Sequence, residues 1–98
     1  MAEDKNDNVV FIGTKPFMIY MTSVAMQFTA KEQKEVIIKA RGRSISMAVD
    51  VAEAVRKRFL KDKNIGIKSI KIDSEELENK EGKKINVSTI EITLSKNS

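Results

Sequence analysis

The residues with the greatest chemical capacity in this 98-residue chain sit in two short turns. Lys39-Ala40-Arg41-Gly42-Arg43 joins a β-branched run to an amphipathic one. Backbone N–H groups at a helix start and two guanidinium groups can there converge on one phosphate. Gly13-Thr14-Lys15-Pro16 is the matching turn after an earlier apolar run. The same residues also suit ordinary β-to-α turns in which Gly42 relieves backbone strain and the arginines reach into solvent. Neither turn has the glycine spacing of a nucleotide-binding loop, so the chemistry indicated is contact with backbone phosphates rather than with a bound mononucleotide.

Composition removes most other chemistry. With no Cys and no His the chain lacks disulfides, thiolate ligands and the commonest general base and metal ligand. Asp73, Glu75, Glu76 and Glu78 lack the Gly-containing spacing of a calcium loop. No nucleophile–base pair can be named, so no catalytic residue, no cofactor and no metal is expected, and the chain reads as a non-enzyme. No apolar run approaches the ~18 residues of a membrane span, and Met1 to Asn8 holds three acids and one lysine, unlike a signal peptide. A cytoplasmic chain without membrane association is expected.

The net charge of +4 conceals an uneven distribution. Lys15 to Lys71 carries 13 Lys/Arg against 5 Asp/Glu, whereas Met1 to Asn8 and Asp73 to Lys84 are each −2. A basic body between two acidic segments attracts polyanions and holds the acidic segments away from phosphate, although the same charges would also serve as a solvated surface.

The elements that would position the turns follow from periodicity. Val9-Val10-Phe11-Ile12-Gly13 is a short continuous apolar run, expected to be a strand buried on both faces. Phe17, Tyr20, Met21, Val24 and Phe28 mark a helix from about Pro16 to Ala30, with Thr14 as a nearby cap. Glu35 to Arg41 is a second strand, parallel to the first. Ser44 offers an N-cap to a second helix reaching about Leu60, with Ile45, Ala48, Val49, Ala52, Val55 and Phe59 on its apolar face. Arg56, Lys57, Arg58 and Lys61 suit the negative end of that helix dipole.

Beyond Gly66 the pattern alternates: Ile65 and Ile67, then Ile70 and Ile72 in the other phase; Ile85 and Val87, then Ile90, Ile92 and Leu94. Two slips of phase indicate paired β-bulges or twist in a long hairpin of about ten residues per strand. Its tip is expected in Asp73 to Lys84 around Gly82. All five aromatics, Phe11, Phe17, Tyr20, Phe28 and Phe59, are expected to pack inside, and the two hairpin strands carry none, which disfavours base stacking; Met18, Met21, Met26 and Met47 read as core filler. A core this small gains from a second copy, so dimerisation is expected.

Strand, helix, strand, helix and hairpin in this order, with Asn8-Val9-Val10-Phe11-Ile12-Gly13, Lys39-Ala40-Arg41-Gly42-Arg43-Ser44-Ile45-Ser46, Ala48-Val49-Asp50, Arg58-Phe59-Leu60 and Val87-Ser88-Thr89-Ile90-Glu91-Ile92, resemble the Alba family over about Asn8 to Leu94. The resemblance implies a single α+β domain over residues 9–95, a βαβαββ two-layer sandwich similar to the C-terminal domain of translation initiation factor three. It also implies a flexible acidic tail over 1–8 and a protruding β-hairpin arm over about 65–94. The function implied is that of an archaeal, chromosome-associated chromatin protein. Its homodimer would bind and condense double-stranded DNA with little sequence preference, bind RNA as well, and assemble further along nucleic acid. Lys15, Arg41 and Arg43 would face phosphate, with Thr14, Gly42, Lys39, Lys83, Lys84 and Asn86 around them, and Phe59 would contact a neighbouring dimer.

Two departures stand out. Thr14 occupies the position where many relatives carry the first of two lysines, an acetylation target, and Asn86 replaces a basic residue before Val-Ser-Thr. Weaker arm contacts follow, and with them an alternative in which RNA is the main ligand and the protein acts as an RNA chaperone. A further alternative is a protein-interaction module that uses the long hairpin.

Overall fold

The computed structural model describes residues 8–97. The elements are β1 (Val9–Phe11), α1 (Phe17–Thr29), β2 (Glu35–Arg41), α2 (Ile45–Ala54), β3 (Ile65–Glu78) and β4 (Lys84–Lys96). The four strands form one sheet in the order β1-β2-β4-β3. β1 and β2 are parallel, with Phe11 opposite Lys39; β2–β4 and β4–β3 are antiparallel. The expected α+β sandwich is therefore present. Of the expected acidic tail, residues 1–7 lie outside the described residues. Asn8 joins the sheet, its carbonyl accepting from the Ile37 N–H at 2.8 Å.

Both helices cover one face of the sheet. Tyr20, Met21, Val24, Ala25 and Phe28 of α1 and Ala48, Val51, Ala52 and Ala54 of α2 are buried. They meet Val10 and Ile12, then Val36, Ile38 and Ala40, then Ile90, Ile92 and Leu94, alternate residues that a pleated strand directs to one side. Each large apolar side chain removed from water in this way stabilises the fold by about 1.5–3 kcal/mol.

Several expectations need correction. Phe11 is 64% exposed, because among the described residues no helix lies on the other face of the sheet and β1 is buried on one side only. Phe59, Val49, Met18 and Met26 are also exposed, and Val51 takes the fully buried place on α2. Neither Thr14 nor Ser44 caps a helix by a side-chain hydrogen bond; Ser44 is already in the right-handed helical region, within a tight turn that leads into α2. The end of that helix widens, the Leu60 N–H donating to the Val55 carbonyl at 2.9 Å, one residue beyond the usual α-helical partner.

The hairpin has one bulge rather than two. The register shifts between Ile67 and Ser69, which brings Ile70 opposite Ile92 and Ile72 opposite Ile90, so Ile67, Ile70 and Ile72 all lie on the helix side of the sheet. In β4 the pairing is unbroken; its apparent slip is a change of face, Ile85 and Val87 lying opposite Leu77 and Glu75 on the helix-free side. The tip is also shorter than expected. Asp73 to Glu78 and Lys84 are strand residues, and only Asn79 to Lys83 turn, held by the Asn79 side-chain oxygen, which accepts from Glu81 and Lys83 N–H at 2.9 Å. Pairing with β2 ends at Thr89. The five rungs from Ser74–Ser88 to Glu78–Lys84 therefore form a free ribbon of roughly 17 Å at ~3.3 Å per residue.

Candidate nucleic-acid interface

β1 and β2 run in the same direction, so the turns that follow them open at the same end of the sheet. The Ile12 N–H donates to the Lys39 carbonyl at 2.8 Å, carrying the pairing up to Gly13-Thr14-Lys15 on one side and to Arg41-Gly42-Arg43 on the other. Thr14, Lys15, Arg41, Gly42 and Arg43 are all exposed. Gly42 has φ +57°, a conformation that costs a residue with a Cβ about 1–2 kcal/mol. A Cβ built there would lie 3.5 Å from the Val87 side chain, so the turn sits against the root of the free ribbon. The two turns and the arm thus share one end of the molecule.

The first turn is held by a residue whose part sequence periodicity does not reveal. Tyr20 lies on the buried face of α1, and its hydroxyl oxygen accepts from the Gly13 N–H at 2.9 Å and the Lys15 N–H at 2.8 Å. Gly13 has little room to change, because a Cβ there would stand 3.3 Å from that oxygen. Tyr20→Phe leaves two amides without their partner. The expected result is a loss of about 1–3 kcal/mol of stability in urea denaturation, with faster hydrogen exchange at Gly13 and Lys15. Unchanged exchange at both amides would contradict it.

Two of the expected cations have acidic partners. Arg41 pairs with Glu75 at 3.4 Å across to the arm, with both side chains about half exposed. Lys39 is not in the turn but on the helix-free face, 3.4 Å from Glu91. On the arm Lys84 stands opposite Glu78 and Asn86 opposite Glu76, while Lys83 lies in the tip. Two of the four cations at the end of the second helical segment pair within the fold: Glu53 bridges Arg56 at 2.5 Å and Lys57 at 3.0 Å. The hydrogen bond from Lys57, then that from Arg56, holds the Glu53 carboxyl below the usual carboxylate range, against a smaller opposing effect of burial.

Among the described residues no helix is long and apolar enough to cross a membrane. The family model described as Alba matches residues 8–74. A protein of Methanocella arvoryzae called DNA/RNA-binding protein Alba is 54% identical over 90 residues, covering 92% of this chain and 91% of that protein. One of the same name from Nanoarchaeum equitans is 57% identical over 88 residues, covering 89% and 96%. The solved structure of Alba from Thermoplasma volcanium superposes with a TM-score of 0.82 at 46% identity, covering 91% of this chain and all of that one.

Proposed function

The chain belongs to the Alba family, and from that premise we propose a non-enzymatic protein that binds DNA with little sequence preference, binds RNA as well, and acts as a homodimer on the archaeal chromosome in the cytoplasm. The observation that carries this reading is the common sheet end at which Lys15, Arg41 and Arg43 are exposed beside the arm. Phosphate takes those three positions, with Thr14 and Gly42 offering hydroxyl and backbone contacts at the same turns. Lys39, Lys83, Lys84 and Asn86 contribute at the margins, since acids face or adjoin most of them.

A second copy is supported by Ile67, Ile70 and Ile72. They are 40%, 55% and 79% exposed on the helix side of β3, an edge strand that the helices do not cover. Phe59, 53% exposed at the end of the second helical segment, is free for contact between neighbouring dimers.

Three cations per protomer give about six phosphate contacts per dimer, so log affinity against log salt for duplex DNA should fall with a slope near −5. A titration over a range of salt concentrations measures it, and a flat dependence would reject the reading. One observation favours RNA as the principal ligand instead: Glu75, Glu76 and Glu78 line the free ribbon, and a narrow, negative minor groove repels them. Competition between matched DNA and RNA duplexes at equal ionic strength separates the two, with a DNA preference above tenfold counting against the RNA reading.

A further inference from the structure

The helix-free face of the sheet holds an aromatic ring that the fold does not need there. Phe11 is 64% exposed, and it borders a shallow cleft of about 340 Å³ lined also by Lys39, Arg41, Glu75, Thr89 and Glu91. The Lys39 ammonium lies over the ring 5.9 Å from its centroid, at the outer limit of a cation–π contact, and also pairs with Glu91 at 3.4 Å. A base that stacks on Phe11 displaces this ammonium, which Glu91 is placed to keep. The register places Phe11, Lys39, Glu91 and Lys71 in one row across the four strands, and Arg41 two residues further along β2 on the same side. The cleft therefore runs directly into the cationic end of the sheet.

We propose that this face binds single-stranded RNA, one unpaired base stacking on Phe11 while the backbone continues to Arg41 and Lys15. This extends the nucleic-acid reading above and depends on it. A base inside a duplex cannot present its face to a ring lying on a flat sheet, whereas an unpaired base can, and aromatic residues on open sheets are suited to it. The other groups lining the cleft match a nucleoside better than a phosphate. Carboxylates at Glu75 and Glu91 repel phosphate but accept hydrogen bonds from base amino groups and from a ribose 2′-hydroxyl, and the Thr89 hydroxyl can do either. Phosphates are left to the arginines at the rim. The expectation from sequence that base stacking is disfavoured has two grounds: the hairpin strands carry no aromatic, which holds, and Phe11 is buried, which does not.

The test uses the full chain, an unstructured 12-nucleotide RNA, its deoxy counterpart and the matched 12-base-pair RNA duplex. Phe11→Leu should lower affinity for the single-stranded RNA by about five- to a hundredfold. Duplex affinity should change less than twofold, and Phe11→Trp should retain single-strand binding. Equal loss on both ligands, or loss on neither, overturns the proposal. So does a deoxy strand bound as tightly and as sensitively as the RNA, or dissociation of the protein on Phe11→Leu in sedimentation, which would assign the ring to a subunit contact. Wild-type protein that binds the duplex but not the single strand defeats this inference alone; binding neither defeats the RNA-binding part of the reading beneath it.

Discussion

Replacing Arg41 and Arg43 together by alanine should reduce duplex affinity by roughly a thousandfold in 0.1 M salt, by about the same factor on every sequence. The proposed dimer would lose four phosphate contacts. Each releases about 0.9 counterion, worth about 0.9 of a log unit when salt is tenfold below 1 M, so the loss reaches between three and four log units. The salt slope should fall from near −5 to near −2 in the same series. Both side chains are exposed, and among the described residues Arg41 pairs only with Glu75 at the surface, so thermal stability should hardly change. Glu75→Gln should act in the opposite direction, raising affinity severalfold at low salt, because it removes the anion that phosphate must displace from Arg41. A double alanine variant whose defect is confined to one sequence would reassign these residues to base recognition. A variant with normal affinity would move the interface elsewhere.

The second large effect concerns assembly. Ile70→Asp combined with Ile72→Asp should turn a dimer into a monomer, raising the dissociation constant at least about a thousandfold, since four carboxylates would otherwise lose their water in the contact. The two isoleucines stand opposite Ile92 and Ile90, which are buried, yet are themselves 55% and 79% exposed, so the apolar layer continues past the helices onto β3 without a cover. Exposed sites tolerate the change, and circular dichroism should show an unaltered fold. Sedimentation at 10 μM, a concentration chosen for the assay, should then give the 11.0 kDa species in place of one twice as heavy. A double variant that still sediments as a dimer would place the subunit contact on another surface. Since a monomer presents half the cations, its salt slope should also halve.

Both experiments address features that the sequence exposes to different degrees. The turns were legible because each follows a β-branched run that ends in glycine, and parallel pairing leaves only one end of the sheet for them. The bulge near Lys68 was legible as a break in alternation, since an added residue reverses which side each later side chain faces. The similar break in β4 has another cause: where the ribbon leaves the sheet there is no helix layer to dictate which face is apolar. For the same reason Asp73 to Glu78 looks like a loop, although it is paired backbone with solvent on both sides. Phe11 reads as buried from sequence because four consecutive apolar residues look alike whether a strand is covered on one face or two, and only the placement of both helices on one side decides. Tyr20 fits a helical core stripe whether or not its hydroxyl has a task, so pattern alone does not reveal the bonds to Gly13 and Lys15.

Among the described residues, the free ribbon beyond Thr89 has neither a third strand beside it nor a helix behind it. Two-stranded segments twist more strongly than strands within a wide sheet, and nothing here fixes the amount. Its torsion can therefore adjust, letting the same rungs follow helices that differ in pitch. Tolerance of both A-form and B-form geometry would then be a mechanical property of an unsupported lever rather than the work of any one side chain.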